Sequence, residues 1–253
     1  MGRQPADVLV PHVPALRRIG HKGADHIAPG NTPASFDAAL AAGVDMIEFD
    51  VLSEHVDGTG ELFLAHTYED LAARRDTVLT LEEGLDHLCG TGLELDVDVK
   101  WRGYEDRLVE AIERRGYADR VLVTSMEEST LRRVRELAPH IRLGWSVPRL
   151  RRNPLQSPLT AVPVLALLPA IRRLLPSRVV PSIRDGRCDA IMANVHLVTP
   201  RLARAVHEAG GELYVWTVDD AVRIESLRGL GVTGVITNDP RLFQPEISQV
   251  AAE

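Results

Sequence analysis

Short runs rich in Val, Ile, Leu and Phe recur along the chain, separated by longer stretches in which apolar residues return every three or four positions. Eight of these runs read as strands, at 18–20, 46–52, 93–99, 121–124, 141–147, 190–194, 213–218 and 234–237. Helical patterns lie between them at 33–42, 81–88, 104–115, 129–137, 201–209 and 220–230. Alternation of this kind predicts βα units around a parallel sheet, and eight units in 253 residues predicts a closed (β/α)8 barrel, the TIM-barrel architecture. An open doubly wound sheet is the competitor, but no GxGxxG follows any of the runs. The chain, 1–253, is therefore expected to be a single domain. Thr32 before Pro33 reads as the cap and first residue of the first helix, and Gly43 stands where a helix-terminating glycine belongs.

Two stretches exceed what a minimal barrel needs. Residues 53–80 contain Asp57-Gly58 and a strand-like 61–66, which predicts a loop or hairpin excursion after the second strand. Residues 148–187 form a longer basic and apolar insertion after the fifth strand, where Arg149, Arg151, Arg152, Arg172, Arg173, Arg178, Arg184 and Arg187 face one acid, Asp185. Interleaved leucines make this a lid or interfacial element suited to anionic headgroups. An ordinary fifth helix with a solvated arginine face, or a dimer contact, fits the same pattern.

Composition narrows the function classes. With 45% hydrophobic and 26% charged residues the chain suits a globular domain, not a disordered one. A formal net charge of −7 argues against a nucleic-acid partner. Cys89 and Cys188 are the only cysteines and have no ligand spacing, so neither a disulfide framework nor a structural zinc is expected. The first twenty residues lack a signal-peptide core, and the apolar stretch 159–171 is too short to span a bilayer. A cytoplasmic protein is expected, with peripheral membrane contact through 148–187 left open and the oligomeric state undetermined.

Candidate chemistry gathers at strand ends. In Met46-Ile47-Glu48-Phe49-Asp50, the two-residue period of a strand puts Glu48 and Asp50 on one face. Residues 94–100 repeat the pattern, with Glu94, Asp96, Asp98 and Lys100 on alternate positions. Inward carboxylates repel one another and lose hydration, so they need a cation or a shared proton. One hard divalent cation, Mg2+ or Ca2+, held by Glu48, Asp50 and Asp98 answers that need, with Lys100 near the anionic group of a substrate. His21, Ser125, Asn194, His196, Trp216 and Asn238 also fall at or just past strand C-termini, the catalytic face of such a barrel. His12, His26, His55, His87, His140 and His207 lack partner spacing and read as surface or capping residues.

The motifs from Arg18-Ile19-Gly20-His21-Lys22-Gly23 through Ala28-Pro29-Gly30-Asn31-Thr32-Pro33-Ala34-Ser35-Phe36 resemble the HRG…PENTxxAF opening of glycerophosphodiester phosphodiesterases. Further similarities follow at 43–51, at Leu64-Ala65-His66, at 95–100, at Tyr214-Val215-Trp216-Thr217-Val218 and at 234–240, so the motif-bearing core spans 18–240. The resemblance implies a metal-dependent hydrolase that cleaves a small glycerophosphodiester into glycerol 3-phosphate and an alcohol. It implies Glu48, Asp50 and Asp98 as metal ligands and His21 and His66 as an acid/base pair, with neither role assigned. Imidazoles exchange protons near neutral pH, which this chemistry requires. Lys22, Lys100, Asn194, His196 and Trp216 become candidates for binding the phosphate or the rest of the substrate. A lipid phosphodiesterase of lysophospholipase D or sphingomyelinase D type, and a barrel that binds phosphodiesters without turnover, are the alternatives.

Four positions depart from the family pattern. Gly30 replaces the Glu of PENT, Lys22 the Arg of HRG, Thr67 an Asp after the second histidine, and Asp98 a longer Glu. Lys lacks the planar two-point grip of Arg. Asp98 needs its strand nearer the cation, or a bridging water.

Overall fold

The computed structural model describes residues 15–149 and 158–244. Its strands are β1 (Arg17–Gly20), β2 (Met46–Ser53), β3 (Leu62–Phe63), β4 (Glu94–Val99), β5 (Val121–Ser125), β6 (Arg142–Val147), β7 (Ala190–Asn194), β8 (Glu212–Trp216) and β9 (Gly234–Thr237). Eight of them pair in parallel in the order β1-β2-β4-β5-β6-β7-β8-β9, and β9 returns to β1, which closes the barrel. The ninth, β3, pairs antiparallel with the end of β2, Leu52 opposite Phe63, as expected for an excursion after the second barrel strand.

The helices are α1 (Pro33–Ala41), α2 (Tyr68–Ala73), α3 (Leu81–Cys89), α4 (Glu105–Arg114), α5 (Glu128–Leu137), α6 (Pro158–Arg184), α7 (Pro200–Glu208) and α8 (Ala221–Gly229). Thr32 caps α1 by accepting from the Ser35 amide, Pro33 is its first residue, and Gly43 leaves it at φ +74°. Thr67, one of the departures from the family pattern, caps α2 by accepting from the Asp70 amide. The stretch after the fifth barrel strand is not a separate insertion over 158–184. It is the fifth barrel helix itself, α6, prolonged to 27 residues. Arg151 and Arg152 lie outside the described residues. No helix among the described residues is long and apolar enough to cross a membrane.

Outward-facing strand residues such as Ile47, Val97, Val123, Ile191 and Val215 pack against the helices and form the larger core. Inward-facing residues stack in layers, with members of each layer drawn from alternate strands. The strand registers place Arg17, Glu94, Arg142 and Glu212 at the N-terminal end, then Met46, Leu122, Ala190 and Gly234, then Ile19, Asp96, Gly144 and Tyr214. The two glycines are needed there. A Cβ at Gly234 would stand 2.8 Å from the Tyr214 ring, and one at Gly144 would stand 2.7 Å from the Thr124 methyl. Above these layers come Glu48, Thr124, Met192 and Ile236, then His21, Asp98, Ser146 and Trp216 at the C-terminal mouth.

Candidate active site

The mouth holds a cavity of about 240 Å3 lined by His21, Lys22, Glu48, His66, Asp96, Asp98, Lys100 and Trp216, among others. Carboxylate oxygens of Glu48, Asp50 and Asp98 all lie within 4.8 Å of one another. Register explains the approach, because Asp50 is directly opposite Asp98 in the β2–β4 ladder. The shorter Asp98 therefore still reaches the group.

Glu48 and Asp50 are buried. Asp50 Oδ2 accepts from Asn31 Nδ2 at 2.9 Å, while the Asp50 amide donates to Asn31 Oδ1 at 3.2 Å. Asn31 is held for this by an uncommon backbone, φ +59°, and its amide donates to the Lys22 carbonyl. Lys22 is also left-handed, φ +50°, and its amide donates to Glu48 Oε2 at 2.8 Å. Two non-glycine residues with positive φ in one loop mark strain retained to aim backbone groups at the carboxylates. Asn31 is a site residue that periodicity could not reveal. Its signals were its place in the Ala28–Phe36 motif and an Asn in a turn, the residue type that tolerates this conformation.

Lys100 Nζ lies 2.5 Å from both Asp50 Oδ1 and Asp98 Oδ2. Burial pushes Asp50 upward, but Lys100, with help from His66, holds it well below the usual carboxylate range. Glu48 goes the other way, raised well above its usual value by burial and then by the neighbouring Asp50 charge. Burial also pushes Asp96 up to about 8, even though Thr124 Oγ1 donates to it at 2.7 Å. One ammonium among four carboxyls leaves Glu48 and Asp96 driven toward their protonated forms, and the site retains the need for positive charge that the sequence implied.

The two histidines are oriented differently. His21 Nδ1 is 2.5 Å from Asn238 Oδ1, and Asn238 is itself fixed by Asp219, which accepts from its Nδ2 at 2.7 Å and its amide at 2.8 Å. An amide oxygen only accepts, so Nδ1 carries the hydrogen and Nε2, 3.9 Å from Glu48, presents its lone pair. Burial, reinforced by Lys22, lowers the pKa of His21 and keeps it neutral. His66 Nδ1 instead lies 3.1 Å from Asp50 Oδ1, and the His66 amide donates to Asp70. Half of the His66 side chain is exposed at the mouth. Asp219 escaped sequence reading because its partner is brought in from the next barrel strand.

Trp216 lines the cavity with its indole N–H tied to the Met192 carbonyl at 2.9 Å. Asn194 and His196 do not line it. Asn194 Oδ1 accepts from the His196 amide at 3.0 Å, ending β7 in a tight turn, and His196 is exposed. At Gly30 a Cβ would fall 2.6 Å from Asp25 Oδ1, which accepts from the Gly30 amide. Asp25 lies 3.7 Å from Lys22 Nζ, so the loop keeps a carboxylate although position 30 has none. Of the other described histidines, His87 pairs with Asp37, His140 with Glu113, and His207 with the Gly231 carbonyl, all away from the mouth.

A model of the glycerophosphoryl diester phosphodiesterase family matches residues 21–53 and 59–242. A glycerophosphodiester phosphodiesterase of Caldanaerobacter subterraneus subsp. tengcongensis is 25% identical over 252 residues, 88% of this chain and 93% of the relative. Among solved structures, the glycerophosphodiester phosphodiesterase from Agrobacterium tumefaciens superposes with a TM-score of 0.65 at 20% identity, over 90% of this chain and 98% of that one. A phosphodiesterase from Oleispira antarctica, solved in complex with the product sn-glycerol-3-phosphate, gives 0.68 at 19% identity, over 89% and 94%.

Proposed function

Since the chain belongs to the glycerophosphoryl diester phosphodiesterase family, we propose that it hydrolyses a glycerophosphodiester to glycerol 3-phosphate and an alcohol at the mouth of its barrel. The observation that carries this reading is the placement of two differently oriented histidines beside a carboxylate triad in which Glu48 and Asp50 are buried.

The triad fits a divalent cation. Its donors are hard oxygens on rigid strands, and buried carboxylates short of positive charge favour one. Glu48, Asp50 and Asp98 would hold it, with Mg2+ and Ca2+ both compatible with that donor set. When bound, such an ion supplies Lewis-acid polarisation of phosphoryl oxygens.

The chain's own residues supply the proton transfers. His21, neutral and with its Nε2 lone pair available, takes the proton from the attacking hydroxyl or water. His66, steadied by Asp50, protonates the oxygen of the leaving alcohol. Asn238 and Asp219 hold His21 in the tautomer its role as base requires, a positioning task. Lys22 and Lys100 offer positive charge to the phosphoryl oxygens, and Trp216 gives the glycerol carbons an apolar wall. Asn194 and His196 have no part in this reading.

Release of glycerol 3-phosphate from glycerophosphocholine, glycerophosphoethanolamine and glycerophosphoglycerol, with and without added Mg2+ or Ca2+, tests it. Metal-dependent release that disappears in His21→Ala and Glu48→Gln is expected. A folded protein that releases none from any of these substrates would overturn the reading.

A further inference from the structure

Two of the departures from the family pattern, Lys22 and Gly30, meet at a third residue, Asp25. The Lys22 backbone is tied down at both ends of the residue. Its amide donates to Glu48 Oε2 at 2.8 Å, and its carbonyl accepts from the Asn31 amide at 3.0 Å and from Ser35 Oγ at 2.7 Å. The ammonium is held far more loosely. Among the described residues its ion-pair partner is Asp25, whose Oδ2 lies 3.7 Å from Nζ, beyond hydrogen-bond length.

That carboxylate is fixed from its other side, because Asp25 Oδ1 accepts from the Gly30 amide at 2.8 Å. A Cβ at position 30 would fall 2.6 Å from the same oxygen and 2.8 Å from the Lys22 Cβ. Gly30 is not among the glycines with positive φ, so space and not backbone conformation requires it. The bare position 30 is a condition for the Lys22–Asp25 pair.

The two lysines of the mouth differ in what their charge is committed to. Lys100 Nζ lies 2.5 Å from both Asp50 and Asp98 and is shared between them. Lys22 lines the same cavity with its ammonium loosely paired, and it keeps N–H donors for an incoming anion. Without Asp25, that ammonium would be drawn toward the carboxylates of Glu48, Asp50 and Asp98, next to which its own amide already stands.

We propose that Asp25 is a positioning residue, which holds the Lys22 ammonium off the carboxylate triad and toward the phosphate of the substrate. Lys22, Asp25 and Gly30 then act as one unit, with the lysine touching the anion, the aspartate setting its place and the glycine leaving room for the aspartate. The substrate phosphate is that of the hydrolase reading, on which this inference rests, and one arm of its test is independent of turnover.

Asp25→Asn keeps an oxygen for the Gly30 amide and removes only the charge. Affinity for inorganic phosphate, read by calorimetry in the presence of Mg2+, should fall about tenfold, and kcat/KM for glycerophosphocholine by a similar factor. Adding Asp25→Asn to Lys22→Met should change neither quantity further, because the effect passes through the ammonium. A residue that only braced the loop would lower both backgrounds alike. Gly30→Ala, which must displace the same carboxylate, is the second route and should show the same dependence on Lys22. Phosphate affinity at the wild-type value in Asp25→Asn overturns the proposal and leaves the hydrolase standing. An equal loss in the Lys22→Met background overturns it as well. A Lys22-dependent loss of phosphate affinity in a protein that turns over no glycerophosphodiester supports the role of Asp25 and overturns the hydrolase reading.

Discussion

The two ends of the barrel interior are both charged, yet they are built on opposite principles. At the N-terminal end Arg17 and Arg142 alternate with Glu94 and Glu212. Arg17 lies 3.2 Å from Glu94 and 3.0 Å from Glu212, while Arg142 pairs with Glu94 and lies 3.2 Å from Glu212. Tyr214 joins them, donating to Glu212 at 3.1 Å and accepting from Arg17 at 2.5 Å. Two cations meet two anions, and each carboxylate has both arginines as partners. At the mouth, Glu48, Asp50, Asp96 and Asp98 cluster around Lys100 with Lys22 near the rim. A closed ring satisfies itself and contributes stability. An unbalanced cluster stays under electrostatic stress, and that stress is available for binding a cation and a substrate.

The sharpest way to break this comparison is Glu48→Gln. Activity is expected to fall by about 10³-fold, while the urea midpoint of the metal-free protein stays level or rises because a desolvated carboxyl beside the Asp50 charge is gone. A large loss of stability in that variant would show the mouth to be structural after all. Addition of Mg2+ or Ca2+ should raise the melting temperature of the wild type and leave Glu48→Gln unmoved.

His21→Ala and His66→Ala come next, each with an expected loss of about 10²- to 10⁴-fold in kcat and little change in unfolding midpoint. Their pH profiles should differ, since removing His21 removes the base and therefore the acidic limb of kcat/KM. An acidic limb retained in His21→Ala would reassign the base.

At the opposite end, Arg142→Met should cost about 2 kcal/mol of stability, between the values for exposed and fully buried pairs, and leave kcat/KM intact. Loss of activity on a par with the mouth variants would erase the distinction between the ends.

A smaller effect tests the charge state of the mouth. The Asp96 pKa is raised in the folded protein to about 8, so its folded form binds a proton that the unfolded chain releases near its ordinary value of 3.8. Its contribution is therefore complete below pH 4, declines as pH rises, and is lost above about pH 8. Asp96→Asn should flatten that decline in the metal-free protein, giving a higher urea midpoint than wild type at pH 8 and the same difference from pH 8 upward. Equal pH slopes in the two proteins would mean that Asp96 is ionised in the fold.

Much of this arrangement was legible in the chain because it depends on local period. Alternation at 46–50 and 94–100 put the acids on one face, and helical spacing plus Thr32-Pro33 placed α1. The same alternation treated Glu94, Asp96, Asp98 and Lys100 alike. Depth in the barrel separates them, sending Glu94 to the N-terminal ring, Asp96 to Thr124, and Asp98 with Lys100 to the mouth. Asn194 and His196 were expected at the site because they follow a strand, but the turn they form directs Asn194 to a backbone amide. The stretch 148–187 read as an insertion because composition alone does not show where a helix leaves the barrel wall.

By itself, then, the sequence determined the eight-unit barrel and the inward carboxylates, because each follows from a repeat within a few residues, while the two histidines were legible as a pair only through the family resemblance. The tertiary structure decided what depends on distant segments meeting. It aligned Asp50 with Asp98, brought Asn238 and Asp219 onto His21, and used two left-handed residues, Lys22 and Asn31, to direct backbone and side-chain groups onto the acids. It also set α6 beside the mouth. Strand register and loop closure govern these contacts, and neither is encoded in the spacing of neighbouring residues.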